Sequence, residues 1–143
     1  MVKSSARKPS NKHHITIYAT AGESKPGFAV LLEAQGDPVV AFRGQARSLR
    51  AAPYRAVLLG LEEAFLRGYR SVTVRSDARL LLPNGIPMTA ARLEVGPAVA
   101  RLAAEVGEFS SCFEAFDLER IPATANPALG LLAATSRRAR QTA

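Results

Sequence analysis

Apolar and polar residues alternate through HHITIYAT, with Ile15 and Ile17 on one face, the two-residue period of a strand buried on one side. His13 and His14 are adjacent, so in that strand they point to opposite faces and make a poor chelating pair. The runs GFAVLLEA and PVVAFRGQA flank QGD, where Gly36 and Asp37 supply turn chemistry, and predict a β-hairpin. From Pro53 the period changes: Tyr54, Val57, Leu58, Leu61, Ala64 and Phe65 form a helical stripe, and Gly68 follows as a stop. Proline suits the first turn of a helix, where its missing amide hydrogen has no intrahelical partner, so the helix is expected to begin at Pro53. SVTVRSD predicts a fourth strand, and ARLLL a short helical turn halted by PNGIP. TAARLEVGPAVARLAAEVGEF is rich in helix formers but breaks at Gly96, leaving Pro97 to open the second piece. CFEAFDLERIP alternates as a fifth strand, in which Cys112 is expected as a small buried residue. NPALGLLAATSRRAR predicts a closing helix with Asn126 as its cap and Pro127 at its first position.

Helical crossovers require parallel pairing of the later strands. The expected fold is therefore α/β: a five-stranded mixed sheet, three antiparallel strands then two parallel ones, flanked by helices. The 143 residues, 48% hydrophobic, suffice for one domain with a sizeable core. That domain is expected over residues 13–135. Residues 1–12 read as a disordered basic tail and residues 136–143 as a second basic tail. No apolar run approaches the ~20 residues needed to cross a bilayer, and the N-terminus lacks an apolar leader, so the expectation is a cytoplasmic chain without membrane contact. The single cysteine agrees with that compartment and excludes an intrachain disulfide.

The net charge of +7 changes the picture only when it is located. Lys3, Arg7, Lys8 and Lys12 at one end, with Arg137, Arg138 and Arg140 at the other, account for all of it. The body between them is neutral, yet its signs are segregated, with arginines crowding the middle of the chain and acids the stretch after residue 101. The tails predict weak, non-specific attraction to nucleic acid, and Arg43, Arg47, Arg50 and Arg55 are candidate phosphate contacts on the body.

Asp77 stands at the C-terminal edge of the fourth predicted strand. A strand end fixes the backbone while the following loop leaves room for ligand, which suits a catalytic carboxylate. The competing reading is a cap, with Asp77 accepting amide hydrogen bonds from a helix opening at Ala78.

The order of elements, with APYRAVLLGLEEAFLRGYRSVTVRSDARLLL at its centre, resembles the ribonuclease H (RNase H) family, especially its short prokaryotic, reverse-transcriptase-like branch. The Tyr-Arg-Ala helix, the Gly turn, the strand ending in Ser-Asp and the segment ERIPATANPALGLLA carry the likeness. It implies an RNase H-like fold. Active members place four carboxylates around two divalent ions, two Mg²⁺, which activate the attacking water and stabilise the leaving oxygen. Transferred residue by residue, the four acid positions fall on Thr20, Pro53, Asp77 and Gly130, and only Asp77 is an acid. Glu23, Glu62 and Glu119 are conceivable substitutes, but Glu62 lies nine residues along the helix from Pro53, roughly 13 Å away. The loop AGESKPG is shorter than the family's Gly-Asn-Pro-Gly loop. SLR, with Ser48, Leu49 and Arg50, replaces the Thr-Asn-Asn that reaches the hybrid's minor groove. The resemblance thus implies an RNase H-like domain without nuclease activity, cofactor or bound metal, and with weak nucleic-acid binding, to RNA–DNA hybrid or duplex, through basic tails. Two alternatives are a protein-interaction module on the same scaffold, which would have a protein partner, and an active ribonuclease H with rearranged metal ligands.

Overall fold

The computed structural model describes residues 13–80 and 96–132. Strands β1 (His14–Ala21), β2 (Gly27–Ala34) and β3 (Asp37–Gln45) are followed by helix α1 (Ala52–Leu66) and β4 (Ser71–Ser76). Helix α2 (Pro97–Ser110), β5 (Ala115–Arg120) and a 3₁₀ turn (Ala123–Ala125) complete the order, and residues 128–132 are helical. The sheet runs β3-β2-β1-β4-β5, with β1–β2 and β2–β3 antiparallel and β1–β4 and β4–β5 parallel. This is the five-stranded mixed sheet that the patterning predicts.

Register explains the core. Ile15 and Ile17 lie opposite Val72 and Val74 on β4, and Ile17 and Ala19 opposite Leu32 and Val30 on β2. All of these side chains are fully buried on one face of the sheet. Helix α1 covers that face with Ala56, Val57, Leu61 and Ala64, its buried stripe. Burying each Val, Leu or Ile contributes about 1.5–3 kcal/mol. The helix stops at Gly68, whose φ of +87° is left-handed, and the Tyr69 amide donates back to the Ala64 carbonyl at 3.1 Å.

The opposite face is polar. His14 Nδ1 lies 2.8 Å from Ser71 Oγ and its Nε2 3.1 Å from Thr73 Oγ1. Arg75 donates through Nε to Glu119 at 2.9 Å and through Nη1 to the Tyr18 hydroxyl at 3.1 Å. The Glu119 carboxylate, then Tyr18, raise the arginine's pKa above its ordinary value. His13 is exposed, whereas both ring nitrogens of His14 are engaged by β4 hydroxyls.

Topology orients both helices. β3 is parallel to β1, and α1 returns from the end of β3 to the start of β4, so its N-terminus lies at the edge where β1 and β4 end. The same argument places the N-terminus of α2 at that edge, because α2 leads into β5, which is parallel to β4.

Local expectations need three corrections. Helix α1 begins at Ala52, one residue before Pro53, because the Ser48 carbonyl and hydroxyl engage the Ala52 and Ala51 amides in the turn before it. Cys112 is exposed in the turn between α2 and β5. Its amide donates to Phe109, which closes the end of α2, and strand pairing starts only at Ala115. Residues 78–80 are not helical, so no helix opens at Ala78. The rest of ARLLL, the PNGIP stop, the first piece of the interrupted helix and both basic tails lie outside the described residues. No helix among the described residues is long and apolar enough to cross a membrane.

Gly60 marks the closest approach of α1 to the sheet. A Cβ there would lie 2.5 Å from Ile17 Cγ2 and 3.2 Å from Val30 Cγ1, on stiff β-branched side chains. Alanine is intrinsically better in a helix by about 1 kcal/mol, but overpacking costs about 1–3 kcal/mol. Gly60→Ala is therefore expected to lower stability in chemical unfolding, and equal or greater stability would show that α1 stands further from the sheet.

Candidate functional site

Parallel pairing of β1 with β4 builds the site. Ala19 and Ser76 are the last paired residues, so Thr20 and Asp77 occupy the next rung, and alternation puts both on the face away from α1. Thr20 is fully buried. Its hydroxyl donates to Asp77 Oδ2 at 3.1 Å.

Asn126 completes the arrangement from the far end of the chain. It is 4% exposed, and its Nδ2 donates to the Ala19 carbonyl at 2.9 Å and to Asp77 Oδ1 at 3.3 Å. Its Oδ1 accepts the Ala128 amide at 3.0 Å, so it caps the helical residues 128–132 as the sequence predicts. One side chain thus ties β1, the end of β4 and the closing helical segment together. The Ile121 amide adds a bond to the Ser76 carbonyl at 3.0 Å, which holds the exit of β5 against β4.

No helix opens at Ala78 for Asp77 to cap, and the Ala78 amide donates instead to Ser76 Oγ at 3.1 Å. Asp77 itself accepts two hydrogen bonds, one on each oxygen, from neutral donors. Asn-Pro before an apolar run signals the cap at Asn126, but nothing in the sequence signals its two further bonds, to the Ala19 carbonyl and to Asp77.

Pro53 stands half-buried in the first turn of α1, which holds no acid. Gly130 is exposed, and a Cβ there would meet no atom within 4 Å. Glu23 is exposed in the β1–β2 loop, Glu62 lies toward the opposite end of α1, and Glu119 is paired with Arg75. Among the described residues no three His, Cys, Asp or Glu side chains come together as metal ligands. Hard divalent ions take six or more oxygens and are held by several carboxylates. Asp77 with a neutral threonine, an amide nitrogen, a proline and a glycine does not fit two such ions.

Arg47 and Arg50, in the β3–α1 loop, and Arg55, in the first turns of α1, are exposed at the edge where β1 and β4 end. Arg43 is exposed on β3, opposite Ala29, which lies opposite Thr20. Arg47, Arg50 and Arg55 thus stand toward the end of the sheet at which Asp77 lies, on the α1 side of it, while Arg43 shares the register rung of Thr20. The tail residues Lys3, Arg7, Lys8, Lys12, Arg137, Arg138 and Arg140 lie outside the described residues. Ser48 accepts the Ala51 amide at 3.1 Å, so its hydroxyl serves the start of α1.

The sheet order, the helices and the placement of Asp77 define an RNase H-like fold. Among solved structures, the chain is similar to the N-terminal RNase H domain of rv2228c from Mycobacterium tuberculosis, solved as a fusion with maltose-binding protein. Identity there is 19% over 88% of this chain and 98% of that one, with a TM-score of 0.67. RNase H1 from the halophilic archaeon Halobacterium salinarum NRC-1 is 20% identical over 80% of this chain and 89% of that one, with a TM-score of 0.63. LC11-RNase H1, isolated from compost by a metagenomic approach, is 19% identical over 82% and 90%, with a TM-score of 0.62. No family model and no curated protein matches the chain.

Thr20→Val keeps the shape of the buried side chain and removes the hydroxyl that donates to Asp77. Hydrogen bonds to charged groups are worth about 1.5–3 kcal/mol, so the variant is expected to lose about that much stability in urea unfolding. A loss below about 0.5 kcal/mol would mean that water replaces the hydroxyl at no cost.

Proposed function

We propose that this chain is a nucleic-acid-binding RNase H-like domain without hydrolytic activity. The observation that carries the reading is the state of Asp77: its two oxygens accept hydrogen bonds from Thr20 and Asn126, and it belongs to no group of three or more His, Cys, Asp or Glu side chains among the described residues that could hold a metal ion. Phosphodiester hydrolysis on this scaffold requires charge to be stabilised at both the attacking and the leaving oxygen. One hydrogen-bonded carboxylate does neither.

Charge supports the binding half. Lys25, Arg47, Arg50, Arg55, Arg79 and Arg120 gather at the edge where β1, β4 and β5 end, against Glu23 and Asp77. The positive ends of the α1 and α2 dipoles lie there as well. Such an edge suits phosphate oxygens, which give affinity without sequence readout. The basic tails would add long-range attraction. The similar solved structures are named as ribonucleases H, which makes an RNA–DNA hybrid the first nucleic acid to try.

A labelled hybrid, incubated with the protein and magnesium or manganese, tests both halves in one sample. The hybrid should be bound and left intact. Binding through even four phosphate contacts should weaken roughly 150-fold between 50 and 200 mM salt. Replacing Arg47, Arg50 and Arg55 together with Gln should reduce that slope. Metal-dependent cleavage that disappears in Asp77→Asn would overturn the loss of activity. Absence of salt-sensitive binding to hybrid, duplex and single strand alike would overturn the nucleic-acid partner.

A further inference from the structure

The edge opposite Asp77, where β1, β4 and β5 begin, has the reverse character. Both helices end there, and Phe65 packs edge-on against Phe109 and Phe113, with ring centroids 5.7 and 6.2 Å apart. The cluster is incompletely covered: Phe65 is 49% and Leu66 76% exposed, the two most exposed of the large apolar side chains described. Around it stand Glu62, Glu63, Glu105, Glu108 and Glu114. Arg67 pairs with Glu63 and Arg70 with Glu114, and no basic residue occupies the last turn of either helix. Acids at helix C-termini add to the negative end of the dipole. This end is an apolar patch inside a negative rim, which is the general anatomy of a protein interface.

The complementary surface is the opposite end of the same molecule. In the β3–α1 loop Leu49 is 44% exposed between Arg47 and Arg50, with Arg55 on the following helix. We infer that the chain associates head to tail, the Phe65–Leu66 patch and its acids on one copy seating the Leu49 loop and its arginines on the next. The two surfaces differ, so the contact is heterologous and leaves a free end of each kind, and growth continues until a ring closes or as an open row. The charges steer and orient the encounter, while exposed ion pairs alone hold little, so the apolar residues supply the adhesion. The inference uses the same basic edge as the nucleic-acid reading but needs neither nucleic acid nor metal, so each can fail without the other.

Sedimentation velocity of the full chain tests it. Association should rise with protein concentration and be faster and stronger in about 10 mM salt, where charges act over about 30 Å, than near 1 M, where they act over about 3 Å and only the apolar contact remains. Leu66→Ser should weaken it. Two variants give the decisive result: Arg47→Glu with Arg50→Glu disables one end by repulsion, and Phe65→Ser with Leu66→Ser disables the other by removing its apolar contact while leaving its acids, so the two disabled ends repel each other. Each should be monomeric alone. Mixed in equal amounts they should form a heterodimer that grows no further, because one intact end of each kind remains. Wild-type protein that stays monomeric at high concentration in low salt would overturn the inference. So would a mixture that stays monomeric, or a single variant that still associates, which would indicate a symmetric interface elsewhere.

Discussion

The parallel pairing of β1 with β4 is the constraint on which the rest depends. It places Thr20 and Asp77 side by side on the face away from α1, at an edge that α1 and α2 enter with their N-termini. In a two-metal site the corresponding side chains would both be carboxylates, which repel at close range until cations are present. Here the hydroxyl of Thr20 donates directly to Asp77, so the pair attracts in the absence of any ion. Asn126 extends the same logic to the closing helical segment, satisfying a β1 carbonyl, the carboxylate and a helix amide with one buried side chain. A polar network of this kind, with its members satisfied, fixes geometry rather than chemistry.

The sheet was legible in the sequence because its strands alternate cleanly: Ile15 with Ile17 and Val72 with Val74 declare one buried face before any contact is known. Helix α1 was legible for the same reason at a different period, and its C-terminus because Gly68 adopts a left-handed φ. Cys112 was misread because the apolar Cys-Phe pair runs into the alternation of β5. The backbone instead turns through residues 111–114, and Phe113 is buried while Cys112 is not. That Thr20, Pro53 and Gly130 stand where the resemblance would put acids could be read directly. What Asp77 does instead could not, because choosing between a cap and a cross-strand acceptor depends on Ser76 and Asn126 in three dimensions.

Charge shows the same division between what sequence holds and what topology adds. The signs are segregated along the chain, yet only the strand directions convert that segregation into two ends, basic beside Asp77 and acidic where the helices finish. Both helix dipoles run along the same axis and deepen the difference. Among the described residues, a body neutral in total thus gathers opposite charges toward its two ends, and exposed apolar side chains sit within each: Leu49 at one, Phe65 and Leu66 at the other. Both proposals, a polyanion at the basic edge and head-to-tail contact between copies, rest on this polarity.

The central claim is that Asp77 is a hydrogen-bond acceptor rather than a metal ligand. It is tested most directly by titrating magnesium, then manganese, into isotopically labelled protein while following the Asp77 carboxyl carbon and the Asn126 side-chain amide by NMR. The account predicts that both signals stay in place through millimolar magnesium, with only the diffuse broadening that manganese causes at exposed acids. A saturable shift of the Asp77 carboxyl, accompanied by release of the Asn126 amide, would contradict it and return the site to metal chemistry.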